Sequence, residues 1–189
     1  MIRIGILGGI GSGKSYSAKQ FGYPVFNADL EVQKLYKKSR KCYKKLQKAL
    51  PKYIFSFPIK KAEISRAVMA GPHNLIKIIK VIHPEVRLRM YDFLKKNKNK
   101  KVVILDIPLL LENKINRKND ILVFVDAKKK EINKRLKRRK NFNSKIFQKL
   151  KKLQLPVEIK KKKSDYIIKN NFNNYLLKKN VKKVLRKIL

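Results

Sequence analysis

The chain has 189 residues, 43% of them hydrophobic, which excludes a disordered tail because such a chain can bury a core. Its single cysteine, Cys42, excludes an internal disulfide, and the absence of a recognisable export signal or long apolar stretch indicates a soluble, cytoplasmic protein. The formal net charge of +39 comes mainly from lysines spread over the whole chain, a pattern typical of AT-rich codons, with a nucleic-acid-binding surface as the alternative.

The first half of the chain begins with a predicted strand and continues with helices. Residues 2–7 form a β-type run that ends in glycines, and a helix is predicted from about Gly13 to Phe21. Residues 24–28 indicate a second short strand, with Asp29 at its carboxyl end. Between Leu30 and Lys101, apolar residues recur at intervals of three and four, which predicts helices interrupted at prolines.

The second half of the chain alternates strands with helices. Residues 101–106 and 120–126 are near-continuous apolar runs, which are typical of strands buried on both faces of a parallel sheet. A lysine-rich helix is predicted over about residues 128–140, followed by a polar break and a second lysine-rich helix. A last strand at residues 165–169 precedes a basic C-terminal helix. This alternation predicts an α/β fold with a parallel sheet.

The segment between the first strand and the first helix fills the phosphate-loop pattern G-x-x-x-x-G-K-[ST]. Glycines let successive backbone N–H groups surround phosphate oxygens, and the helix N-terminus adds a positive dipole. Lys14 can reach the β- and γ-phosphates, and the Ser15 hydroxyl can hold Mg²⁺. The predicted ATP contacts of this segment are Gly9, Ile10, Gly11, Ser12, Gly13, Lys14, Ser15 and Tyr16. Residues 97–100 lack the aspartate of a GTPase N-K-x-D motif, which disfavours a GTPase.

Two aspartates follow predicted strands, at the edge where ligands bind to open α/β sheets. Asp29 could accept or orient the proton of an attacking hydroxyl, or it could cap the next helix, and its position alone leaves both roles open. Asp106 could bind Mg²⁺, directly or through water, with a cap or turn role as the alternative. Pro108 cannot donate to a strand ladder, so the sheet should end near it.

A pair of arginines and a histidine are weaker candidates. Arg135 and Arg139 are four residues apart on a predicted helix and could neutralise charge on a triphosphate. For that segment alone, however, a solvated basic face is the better interpretation. His83, before Pro84, is by itself better interpreted as a structural residue than as a catalytic one.

Taken together, these motifs resemble the dephospho-coenzyme A kinases over nearly the whole chain. The resemblance is carried by residues 4–15, 22–29, 82–84, 106–112 (D-I-P-L-L-L-E) and 123–127, Arg135 with Arg139, Gln154, Lys160 and residues 164–170. It implies phosphorylation of the ribose 3′-hydroxyl of dephospho-coenzyme A by ATP, the final step of coenzyme A synthesis. Asn27 departs from the family pattern, which usually has aspartate there.

The resemblance also implies an architecture, namely a three-layer P-loop NTPase fold with a parallel five-stranded sheet, a helical acceptor-binding insertion and a small helical lid. The nucleotide-binding core would comprise residues 1–29, 101–134 and 161–189. Residues 30–100 would bind the acceptor, and residues 135–160 would form the lid.

Site roles follow from the same resemblance. The catalytic residues it implies are Asp29 as the base, Lys14 and Arg139. Arg135 would join the ATP contacts, and Mg²⁺ would bind Ser15, with Asp106 as a further candidate ligand. The acceptor-binding residues it implies are Asp29, His83, Pro84, Leu109 and Glu112.

Two alternatives to this function stay open at the level of sequence. One is another P-loop kinase of small molecules or nucleosides, and the other is a basic, ATP-binding protein associated with nucleic acid. For the favoured function the expected partners are ATP and dephospho-coenzyme A, with no specific nucleic acid and no membrane. We expect a monomer or a weak oligomer.

Overall fold

The computed structural model of the chain describes residues 1–138 and 142–189. Arg139, predicted to be catalytic, lies outside the described residues. The chain divides into two compact units, the first comprising residues 1–27 and 97–189 and the second residues 28–96.

The first unit is built on a five-stranded parallel sheet. Its strands are β1 (Ile2–Leu7), β2 (Val25–Asn27), β3 (Val102–Asp106), β4 (Ile121–Asp126) and β5 (Tyr166–Lys169). They are ordered β2-β3-β1-β4-β5, and every neighbouring pair is parallel. All five residues of β3 are buried, as expected for a strand covered on both faces. The predicted α/β class and five-stranded parallel sheet are confirmed.

Some of the helices belong to the same unit as the sheet, and others form the second unit. In chain order the helices of the described residues are α1 (Lys14–Gln20), α2 (Ala28–Lys38), α3 (Arg40–Ala49), α4 (Lys61–Ala70), α5 (Pro72–Lys96), α6 (Lys129–Lys137), α7 (Ser144–Lys152), α8 (Val157–Lys162) and α9 (Asn174–Ile188). Helices α1 and α9 pack against the sheet through Ala18, Phe21, Leu177 and Val181. No helix among the described residues is long and apolar enough to cross a membrane.

The second unit has its own apolar core. Helices α2, α3, α4 and α5 enclose a cluster that includes Leu35, Leu46, Ala67, Ile78 and Ile82, all almost completely buried. Each buried leucine or isoleucine contributes roughly 1.5–3 kcal/mol of transfer free energy. Of these, Leu35, Leu46, Ile78 and Ile82 lie at positions where the helical periodicity predicts a core.

Two local features differ from the sequence-based expectations. The strand predicted to end beside Asp29 ends at Asn27, and Asp29 is the second residue of α2. Pro84 lies inside α5 and does not end it. Proline removes one helical hydrogen bond, but Ile82 before it and Met90 after it are buried, and this packing keeps the helix continuous.

Candidate active site

The glycine loop connects β1 to α1 at the carboxyl edge of the sheet. Gly8 has a φ of 147° and Gly13 a φ of 91°, both in the region that favours glycine. A Cβ at Gly8 would come within 2.9 Å of the Val125 carbonyl oxygen and within 2.7 Å of the Ser12 hydroxyl. Glycine is therefore required by backbone conformation and by space, as the phosphate-loop pattern predicts.

Lys14 folds back over the loop that precedes it. Its Nζ donates to the carbonyl oxygens of Gly9, at 2.8 Å, and Gly8, at 3.2 Å. These bonds hold the ammonium group over the concave side of the loop, where phosphate oxygens would bind. Ser15 and Tyr16, the next residues of α1, are exposed, so both side chains are accessible to a ligand.

Asn170, which directly follows β5, fixes the loop from the other side. Its side-chain nitrogen donates to the Ser12 carbonyl oxygen at 2.9 Å, and its backbone N–H donates to the Asp126 carbonyl oxygen at 2.7 Å. A Cβ at Gly13 would lie only 2.4 Å from this side-chain nitrogen. The sequence analysis predicted no site role for Asn170. Its position just after a strand, at the edge of the sheet where the glycine loop lies, could have indicated one.

Arg135 and Phe172 form a stacked pair beside the same loop. The Arg135 guanidinium carbon is 4.4 Å from the centre of the Phe172 ring. The ring lies next to the loop, since its Cε1 would be 3.6 Å from a Cβ at Gly13. Phe172 has a φ of 64°, and its N–H donates to the Asn170 side chain, which fixes this turn. The arrangement places a cation and an aromatic face next to the predicted phosphate site, and only the cation was predicted.

The ends of β2 and β3 bring a carboxylate and an amide together. Asn27 and Asp106 are register partners in the parallel pair, and the Asn27 side-chain nitrogen donates to Asp106 Oδ2. Asp106 is only 2% exposed. The sheet ends at Asp106, two residues before Pro108, as the sequence predicts. The hydrogen bond to Asn27 restricts the orientation of the Asp106 carboxylate.

The turn after β3 carries two of the predicted acceptor-binding residues. Leu109 is half-buried in this turn. Glu112 has an ion pair with Lys160, with Oε1 and Nζ 2.8 Å apart, and the same oxygen accepts a hydrogen bond from the Leu155 N–H at 2.9 Å. Glu112 is thus tied to the segment at the start of α8.

In the second unit, Asp29 lies in the first turn of α2 and is exposed. A helix N-terminus favours negative charge, so this position suits a carboxylate. Two residues later, Glu31 accepts hydrogen bonds from Arg89, at 2.9 Å, and Lys34, at 2.6 Å. Burial opposes ionisation of Glu31, but these hydrogen bonds keep its pKa below the ordinary value. The Glu31–Arg89 pair ties the start of α2 to α5.

His83 and Pro84 lie near the middle of α5. His83 is half-buried, and burial, reinforced by the Arg87 guanidinium, lowers its pKa. The imidazole is therefore neutral at neutral pH and can accept or donate a hydrogen bond. Pro84 is exposed on the adjoining turn.

Two of the predicted site residues carry oxygen donors that suit Mg²⁺. The Ser15 hydroxyl and the Asp106 carboxylate are hard oxygen donors, which Mg²⁺ prefers. Within residues 1–138 and 142–189 no three His, Cys, Asp or Glu side chains are grouped as a metal site. Nucleotide-bound Mg²⁺ takes one or two protein ligands and completes its shell with phosphates and water, so Ser15 and Asp106 fit it.

Comparison with known proteins gives a consistent family. The family model described as Dephospho-CoA kinase matches residues 2–175. The Dephospho-CoA kinase of Wolbachia pipientis wMel is 32% identical over 187 residues, which cover 96% of this chain and 95% of that protein.

Solved structures agree in fold. TT1252 from Thermus thermophilus superposes with a TM-score of 0.81 at 26% identity, covering 100% of this chain and 97% of the other. Dephospho-CoA kinase from Campylobacter jejuni gives a TM-score of 0.64 at 19% identity, covering 98% and 96%. The parallel sheet and glycine loop are thus those of the P-loop NTPase fold.

Proposed function

Because the chain belongs to the dephospho-CoA kinase family, we propose that it transfers the γ-phosphoryl group of ATP to the ribose 3′-hydroxyl of dephospho-coenzyme A. The protein is an ATP-dependent phosphotransferase of coenzyme A biosynthesis. The observation that carries the proposal is the intact glycine loop with Lys14 over its carbonyl groups. Neither alternative, a kinase for another small molecule or a nucleic-acid-associated protein, is favoured by the relatives.

Lys14 and the loop bind the triphosphate in this proposal. Backbone N–H groups of residues 9–16 surround the phosphates, and the Lys14 ammonium exchanges its carbonyl partners for β- and γ-phosphate oxygens. Asn170 supports the loop through the Ser12 carbonyl group, so the N–H groups are preorganised before ATP arrives. Arg135, beside Phe172, contributes positive charge near the same loop.

Mg²⁺ would be held by the Ser15 hydroxyl, with Asp106 binding it directly or through water. When bound with ATP, the ion neutralises charge on the β- and γ-phosphates. Asp106 is suited to this role because the hydrogen bond from Asn27 to Oδ2 restricts its orientation.

Asp29 acts as the base in this proposal. The proton of the 3′-hydroxyl passes to the Asp29 carboxylate as the oxygen bonds to the γ-phosphorus and the bond to the departing ADP oxygen breaks. The support is its exposure in the first turn of α2, which leaves its carboxylate accessible to a ligand. Arg139 would stabilise the transferring phosphoryl group.

The acceptor would be bound by the helical region of residues 30–100. Asp29, His83, Pro84, Leu109 and Glu112 are the proposed contacts. Residues 135–160 would act as a lid, and the core would comprise residues 1–29, 101–134 and 161–189. Use of ATP supports a cytoplasmic location, and we propose a monomer or weak oligomer.

A coupled assay of ADP release with ATP, Mg²⁺ and dephospho-coenzyme A tests the function, with the product identified by mass. We expect a product one phosphate heavier than the acceptor. Lys14→Ala should abolish its formation, whereas Lys19→Ala, at an exposed position of the same helix, should not. ATP binding without any product would contradict the proposed acceptor, and a panel of nucleosides and small alcohols would then identify the substrate.

A further inference from the structure

Among the lysines that the structure describes, Lys160 alone is buried, with 1% of its side chain exposed. It lies on α8, and its Nζ is 2.8 Å from Oε1 of Glu112, whose side chain is 10% exposed. Nζ also donates to Gln154 Oε1 at 3.2 Å. A buried ammonium group is strongly destabilising unless it is paired. Lys160 therefore depends on its partners, whereas the solvated lysines around it do not.

Glu112 links this lysine to the backbone before α8. The oxygen that pairs with Lys160 also accepts the Leu155 N–H at 2.9 Å. The other oxygen, Oε2, is buried and has no hydrogen-bond partner in the described part of the chain. Buried ion pairs are often no more stabilising than apolar residues of similar volume, and this one is incompletely satisfied. The specific effect of the ion pair is on geometry, because it fixes the position of the start of α8.

The start of α8 lies against the glycine loop. Val157, one turn before Lys160, is a neighbour of Gly9, since its Cγ2 would be 3.8 Å from a Cβ placed on that glycine. At the other end of α8, the Ser164 hydroxyl donates to the Lys160 carbonyl oxygen at 2.7 Å. Helix α8 therefore begins beside the phosphate-binding loop and is held further along by the pair of Lys160 with Glu112.

We propose that Lys160 is a positioning residue for phosphoryl transfer. With Glu112 it holds α8 so that Val157 stays beside Gly9 and the glycine loop keeps its phosphate-binding shape. The catalytic consequence rests on the proposed kinase function, but the effect on the loop is measurable by nucleotide binding alone. Small displacements of positioned groups reduce rates by up to about a hundredfold, so a remote pair of this kind affects activity.

The test compares Lys160→Met with the double variant Lys160→Met and Glu112→Leu. The single variant leaves Glu112 buried without its cation, so we expect a clear fall in melting temperature. The double variant removes both charges and should regain the melting temperature. It should nevertheless bind adenylyl-imidodiphosphate about tenfold more weakly, by calorimetry, because the direction of α8 is no longer fixed. Lys161→Met is the matched control, since the adjacent Lys161 pairs with Asp126 where both side chains are partly exposed to solvent.

A double variant with the melting temperature and nucleotide affinity of the parent would overturn the proposal. Should the double variant fail to fold, Val157→Ala tests the same neighbour of the loop with the ion pair intact. It should weaken binding of the nucleotide analogue while the melting temperature stays close to that of the parent, and unchanged affinity would equally overturn the proposal. These readouts need no acceptor, so a parent protein that binds nucleotide but does not phosphorylate dephospho-coenzyme A would refute the proposed function alone.

Discussion

At the scale of single residues, Asp29 and Asp106 have surroundings that suit different chemistry. Asp106 is almost completely buried and accepts a hydrogen bond from Asn27. Asp29 is exposed in the first turn of a helix. A proton acceptor must come within hydrogen-bonding distance of a bound hydroxyl, whereas a metal ligand benefits from a fixed orientation. This difference supports the proposal that Asp29 acts as the base and Asp106 as a metal ligand.

Replacing Asp29 by Asn should reduce kcat by a factor of about 10² or more, because the amide keeps the shape but cannot accept the proton. The affinity for an ATP analogue should be nearly unchanged. The coupled assay gives kcat, and calorimetry gives the affinity. Asp92→Asn, at an exposed position of α5, serves as the control. Turnover close to that of the parent would remove Asp29 from the role of base.

Asn27 offers a second test at this scale. Replacing it by Asp places two carboxylates at partnered strand ends and removes the donor to Asp106. We expect the free energy of unfolding at neutral pH to fall by about 1–3 kcal/mol, the usual effect of leaving a buried polar group without its partner. Asn27→Ala removes the donor without adding charge and should destabilise less. Denaturant unfolding measures both, and an Asp variant as stable as the parent would show that the hydrogen bond is unimportant.

At the scale of elements, the sequence predicted those structures that depend on the pattern of residue types within a short segment. The strands around Val103 and Val123 are apolar throughout because both faces of the sheet are covered, and the glycine loop has a fixed pattern of residue types. The roles of Asn170 and Phe172 depend instead on contacts with a loop more than 150 residues away. Lys160 is part of the family pattern in the sequence, but its burial and its pairing with Glu112 appear only in the fold. Such contacts could not be predicted without the tertiary structure.

Helix α5 carries a pH-sensitive group in its middle. The folded state holds the pKa of His83 below its usual value near 6.5, through burial and then Arg87. As the pH falls, the unfolded chain therefore binds this proton first. The stabilising contribution is complete above about pH 6.5 and is lost as the pH drops through the folded-state pKa.

Thermal unfolding between about pH 8 and pH 5 should show this loss, and His83→Gln should reduce the dependence on pH. His73→Gln, at an exposed position on the same helix, is the matched control. An identical pH dependence in the parent and in His83→Gln would contradict the assignment.

At the scale of the whole molecule, basic residues greatly outnumber acidic ones, with 51 Lys and Arg against 12 Asp and Glu. Glu85 illustrates the imbalance, since both Lys41 and Lys45 lie within 3.5 Å of one of its oxygens. Most of the positive charge must therefore be balanced by solvent ions. The positive charges on such a surface repel one another, but they attract anionic ligands such as ATP and dephospho-coenzyme A.

Salt should weaken both the repulsion and the attraction, with opposite consequences for stability and for activity. Raising NaCl from about 0.02 M to about 0.3 M shortens the screening length, so self-repulsion weakens and the melting temperature should rise. Over the same range, kcat/KM for the anionic substrates should fall, by up to about tenfold where encounter limits the rate. Calorimetry and the coupled assay measure the two quantities. Choline chloride at equal ionic strength should reproduce both changes, because screening depends on ionic strength and not on the identity of the cation. A melting temperature that falls with salt would show that specific ion pairs outweigh the general repulsion of the lysines.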